Sequence, residues 1–121
     1  MKAHGEADIT WQDNILILEV HGPFNDEGVM KILASIKQSV LNKNIKSWYR
    51  IEVLDAEAMG SPQTISMVSD MYIWAQNNGC QATAVVISNL VQKQALKEIQ
   101  QGTRVKVFKD VHQAKDWIAQ Q

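Results

Sequence analysis

Residues 47–88 read SWYRIEVLDAEAMGSPQTISMVSDMYIWAQNNGCQATAVVIS, and they hold one complete strand-helix-strand unit. From Ser47 to Leu54, Tyr49, Ile51 and Val53 alternate with Trp48, Arg50 and Glu52, which is the two-residue period of a pleated strand. A loop from Asp55 to Gly60 leads into Ser61-Pro62, a cap residue followed by proline at the first helical position, where its missing N–H costs nothing. Ile65, Val68, Tyr72 and Ala75 then make a helical stripe, widened by Met67, Met71 and Trp74, until Asn78-Gly79 supplies a left-handed stop. Thr83 to Ile87 is a nearly continuous apolar strand. Two strands joined through a helix lie parallel, with a right-handed crossover.

The flanking sequence extends this unit in both directions. Upstream, Ile9 and Trp11 sit two apart, Asp13-Asn14 follows, and the run from Ile15 to Val20 completes a hairpin. Gly22-Pro23 breaks the second strand, and Asn25 caps a helix in which Val29, Leu33, Ile36 and Val40 recur at helical spacing, with Phe24 placed to staple onto Val29. Downstream, Ser88 or Asn89 caps a third helix carrying Val91, Ala95 and Ile99 and ending at Gly102. Arg104 to Phe108 is a fifth strand, and Asp110 caps a last helix whose inner residues are Val111, Ala114, Trp117 and Ile118. The order ββαβαβαβα predicts an α/β domain with a five-stranded, mostly parallel sheet and an antiparallel first strand.

Alternation in the third and fifth strands bears on how the sheet is covered, because a strand buried on both faces reads as an unbroken apolar run. Either these strands lie at edges or the helices sit mainly on one face; Glu19, sharing a face with Ile15 and Ile17, favours one-sided cover. On that reading Ile15, Ile17, Trp48 and Phe108 lie on an open face opposite Leu16, Leu18, Tyr49, Ile51, Val105 and Val107. Arg50, Glu52, Arg104 and Lys106 form its polar rim. The candidate interface is Ile15, Ile17, Trp48, Arg50 and Phe108, to be covered by a protein partner or, most simply, by a second copy in a homodimer.

Composition narrows the function. With 121 residues the chain fits a single domain, 1–121, and no linker or repeat interrupts it. A net charge of -1 argues against a nucleic-acid surface. The single cysteine, Cys80, excludes an internal disulfide and suits a reducing compartment such as the cytoplasm, and Met1 to Trp11 lacks the apolar segment of a leader or membrane span, so no stable membrane insertion is expected. His4, His21 and His112 lie apart, outside any ligand-spaced pair, so no metal site is expected. Cys80 follows a helix exit, where the dipole disfavours a thiolate, and no nucleophile elbow, phosphate loop or dinucleotide fingerprint is present. Neither a cofactor nor an enzymatic activity is expected.

The strand-loop-serine passage Ile51-Glu52-Val53-Leu54-Asp55 to Ser61, the strand Thr83-Ala84-Val85-Val86-Ile87-Ser88, and the close Val105-Lys106-Val107-Phe108-Lys109-Asp110 with Ala114, Trp117 and Ile118 together resemble the STAS family, the SpoIIAA-like domain of sporulation anti-sigma-factor antagonists. The likeness spans nearly the whole chain and is nearest to the stand-alone bacterial branch compared with lipid-carrying CRAL-TRIO domains. It implies non-enzymatic work by binding nucleotides, lipids or partner proteins. In the antagonists a serine at the entrance of the second helix is phosphorylated within an aspartate-serine-serine-glycine pattern; Ser61 is the positional match, but it stands in Met59-Gly60-Ser61-Pro62, so a helix cap is its expected role.

Two functions follow as expectations: a regulatory module acting through protein contacts, or a carrier or sensor of a small apolar ligand or lipid held between the second helix and the sheet. Parallel sheets place ligand crevices at the carboxyl ends of their strands, which makes Asp55, Glu57, Ser88, Asn89 and Lys109 the candidate rim, beside the cap residue Asp110.

Overall fold

The computed structural model describes residues 2–58, 61–100 and 102–121. Its elements run β1 (Glu6–Gln12), β2 (Ile15–His21), α1 (Asp26–Lys43), β3 (Trp48–Leu54), α2 (Pro62–Asn77), β4 (Cys80–Val86), α3 (Leu90–Ile99), β5 (Val105–Phe108) and α4 (Val111–Ala119). This is the order expected from the sequence. The five strands form one sheet in the order β1-β2-β3-β4-β5, with β1 antiparallel to β2 and the other pairs parallel.

Each helix starts on a side chain that satisfies its first free amides. Asn25 accepts from Gly28 N, Ser61 from Thr64 N, Asn89 from Gln92 N, and Asp110 from both His112 N and Gln113 N. Asn89, not Ser88, is therefore the cap of α3. β4 begins at Cys80, three residues earlier than its apolar run suggests, because Gly79 turns the chain straight from α2 into the sheet. Gly79 has φ 100°, and a Cβ there would collide with the Lys46 carbonyl, so the turn needs glycine on both counts.

Three helices, α1, α2 and α3, pack on one face of the sheet. Leu16, Leu18 and Val20 meet Ile36, Val40, Met71 and Ala75 there, and Val85 and Val105 meet Tyr72, Leu96 and Ile99. On the other face α4 alone covers β3 to β5, with Ala114 and Ile118 against Ile51, Ala82, Ala84 and Val86. Cover is thus mainly one-sided, as expected. No helix among the described residues is long and apolar enough to cross a membrane.

The assignment of faces in β3 is corrected. Leu16 stands beside Arg50 and Leu18 beside Glu52 in the parallel β2–β3 register, which puts Trp48, Arg50 and Glu52 on the three-helix side and Tyr49, Ile51 and Val53 on the α4 side. Trp48 and Arg50 both have 0% exposure. They are not on an open surface with Ile15, Ile17 and Phe108, which do share the α4 face; Phe108 there packs on Trp117 at 5.6 Å between ring centres. The physical reason is pairing: opposite charges two apart on one strand face neutralise each other, and a neutral pair can be buried where a lone charge cannot.

Candidate functional site

A cavity of about 100 Å3 lies between the sheet and the three-helix layer. β2 and β3 form its floor with Leu18, Val20 and Leu54, α1 supplies Ile32 and Ile36, α2 supplies Ile65 and Val68, and α3 supplies Leu96 and Ile99. The helical stripes read from the sequence converge here without filling the space between them.

A small polar group interrupts this apolar lining. Arg50 Nη2 donates to Glu52 Oε2 at 3.2 Å and to Met71 Sδ at 3.5 Å, and the Tyr72 hydroxyl donates to the same Glu52 oxygen at 2.6 Å. The Arg50 guanidinium also lies over the Tyr72 ring, 4.9 Å from its centre. Burial raises the Tyr72 hydroxyl well above its ordinary value, and the Glu52 charge adds to this while Arg50 opposes it, so Tyr72 remains a donor. Arg50 Nε and Nη1 are buried and have no hydrogen-bond partner among the described residues. A buried donor left unpaired costs about 1–3 kcal/mol, and more on a charged group.

The rim residues serve a different purpose. Asp55 Oδ1 accepts from Gly22 N at 3.2 Å and Glu57 N at 3.0 Å, while Ser88 Oγ donates to the Leu54 carbonyl at 2.6 Å and Asn89 Nδ2 to the Ala56 carbonyl at 3.2 Å. Gln92, which the sequence reading did not single out, is buried and donates to the Asp55 carbonyl at 2.7 Å while its own side-chain oxygen accepts from Ser88 N at 2.7 Å. Together these bonds tie the loop after β3 to the start of α3 and hold that end of the cavity in place. Glu57 and Lys109 are exposed, and Ser61 caps α2.

At the end of β2 the fold also gathers Asp8, Glu19 and His21, all exposed, with ligand-type atoms within 4.8 Å of one another. The sequence hid this grouping because Asp8 reaches it from the neighbouring antiparallel strand. His21 Nε2 lies 3.3 Å from Asp8 and Nδ1 lies 3.4 Å from Asp55, so both ring nitrogens already face carboxylates. Cys80 is buried, and that burial raises its thiol above the ordinary value despite lowering contributions from Thr83 and Arg50.

No protein-family model matches the sequence, and no curated protein matches it significantly. Solved structures do resemble it in shape. The NMR structure of the protein TM1081 superposes with a TM-score of 0.71 at 17% identity, over 93% of this chain and 88% of that one. The crystal structure of an uncharacterized DUF3478-family protein with a SpoIIAA-like fold from Shewanella loihica PV-4 gives a TM-score of 0.67 at 14% identity, over 97% of this chain and 95% of that one. The fold of this protein is SpoIIAA-like.

Proposed function

We propose that this protein is a non-catalytic binding module that takes up a small apolar molecule between the sheet and the α1–α3 layer, as a carrier or sensor. The observation that supports this reading is the cavity of about 100 Å3 lined mainly by apolar side chains from three helices and two strands. Protein interiors are packed to crystal-like density, and a dry apolar hole of roughly 150 Å3 binds benzene, so a cavity of about 100 Å3 takes a guest of that class only with a small outward shift of its helical walls. A chamber of this kind loses dispersion contacts on every wall until an apolar guest restores them. Asp55, Ser88, Asn89 and Gln92 at the rim are engaged in caps and loop ties, which supports a structural part for them beside a binding chamber.

Solvent extraction of the protein purified from its native host, read by mass spectrometry alongside native mass spectrometry of the intact chain, tests the reading. An apolar compound held by the wild type and lost from Ala95→Phe, a change that fills the cavity from α3, is the expected result. An empty extract, together with small apolar probes that leave the cavity methyl signals unmoved, would remove the proposal.

A further inference from the structure

The Arg50-Glu52-Tyr72 group specifies the head of the molecule that the cavity takes. We infer that the guest carries an uncharged carbonyl-type oxygen, as in a ketone, ester, amide or quinone, which accepts from the Arg50 guanidinium while its apolar remainder fills the aliphatic chamber. The inference rests on reading the cavity as a binding chamber.

Three observations converge on this chemistry. Arg50 lines the cavity, has no exposure to solvent, and keeps Nε and Nη1 without partners. What it lacks is an acceptor, so a hydrocarbon guest leaves the fault as it stands. The second observation is charge. Arg50 is already balanced by Glu52 at 3.2 Å, so a guest carboxylate would bring a net negative charge into an apolar chamber and bear the desolvation penalty without a counter-charge. The third is the state of the acceptor side. Glu52 Oε2 already accepts from both Arg50 and Tyr72, and a guest acceptor with no proton of its own leaves these bonds undisturbed. A carbonyl oxygen meets all three conditions.

The test uses three probes of nearly equal shape that differ in their head group: ethylbenzene, acetophenone and benzoate, titrated at neutral pH while the methyl signals of Leu18, Ile36 and Leu96 are followed by NMR. In the wild type, acetophenone should bind at least about tenfold more tightly than benzoate. In the double variant Arg50→Met with Glu52→Gln, which removes both charges together, acetophenone should weaken by about tenfold while ethylbenzene changes by less than about twofold. Glu52→Gln alone leaves Arg50 unbalanced, so benzoate should gain at least about tenfold on acetophenone.

Acetophenone affinity that the double variant leaves unchanged would mean that the guanidinium is satisfied without the guest, and would overturn the inference while the chamber stands. Benzoate binding to the wild type as tightly as acetophenone would overturn it on the charge argument. If none of the three probes moves the cavity methyls, the chamber reading itself fails.

Discussion

The Tyr72 hydroxyl on α2 donates to Glu52 on β3 at 2.6 Å, so one hydrogen bond ties the middle helix of the covering layer to the floor of the cavity. Tyr72→Phe keeps the ring under Arg50 and removes only this bond. Stability should fall by about 1.5–3 kcal/mol, the range for hydrogen bonds to charged groups, measured by urea unfolding at neutral pH. The same variant should blunt the alkaline sensitivity of the fold. Because the folded protein holds the Tyr72 proton well above the ordinary 10.0, the stability tied to it is complete below pH 10 and is lost as the pH rises past the point where the unfolded chain ionises.

Asp55 shows the opposite dependence. Burial pushes its carboxyl up, but the Gly22 and Glu57 amides and the neighbouring His21 outweigh this and leave it below the ordinary 3.8. A carboxylate depressed by folding stabilises at all pH values above its unfolded value and ceases to do so as the pH falls below it. Acid titration of wild type and Asp55→Asn should therefore show stability curves that lie apart at neutral pH and approach each other below about pH 4.

Trp48 meets Trp11 edge-on at 5.9 Å between ring centres, and its indole N–H donates to the Asn78 carbonyl at 2.9 Å. A side chain in that position belongs to the core. Trp48→Ala should cost about 3–5 kcal/mol in denaturant unfolding, and the molecular mass by light scattering should be the same for variant and wild type.

Ser61→Ala removes the acceptor for Thr64 N at the start of α2, and should lower stability by about 1 kcal/mol. Unchanged stability together with lost partner binding, or phosphate mapped to Ser61 in cells, would assign this residue a role beyond the cap.

The raised Cys80 thiol predicts slow chemistry. Native protein at neutral pH should resist iodoacetamide, and labelling should appear at the denaturant concentration where the fold is lost. Rapid native labelling would show that β4 opens locally at Cys80.

Element order, the antiparallel first strand and the caps of α1, α2 and α4 were readable in the sequence because each rests on local chemistry, an Asn, Ser or Asp side chain before an apolar stripe and a two-residue period in the strands, whereas the α3 cap stayed open between Ser88 and Asn89. The face of β3 was not. Alternation separates Trp48, Arg50 and Glu52 from Tyr49, Ile51 and Val53, but it does not say which set faces inward when both contain large apolar residues. Charge was the misleading cue, since Arg and Glu are nearly always solvated. A usable signal was present in the spacing: Arg50 and Glu52, opposite in sign and two apart, fall on the same side of the strand as Trp48. The third member, Tyr72, comes from a helix 20 residues further on, and that distance is bridged only by the fold. Gln92 escaped notice for a similar reason, because its partners are backbone groups of a loop after another strand.

The strand order β1-β2-β3-β4-β5 repeats the order of the chain, so among the described residues no strand is inserted between two earlier ones. Synthesis delivers the amino end first, so each strand from β2 onward is made after the strand it pairs with, and the topology never requires a formed pair to part. β1 and β5 stay as the outer strands of the finished sheet, so its two edges are the places where pairing with other molecules remains open, and β5 keeps its edge to only four residues. β5 ends the series and is followed at once by α4, which folds back across β3 to β5 and, among the described residues, leaves the β1–β2 end of the far face without a helix.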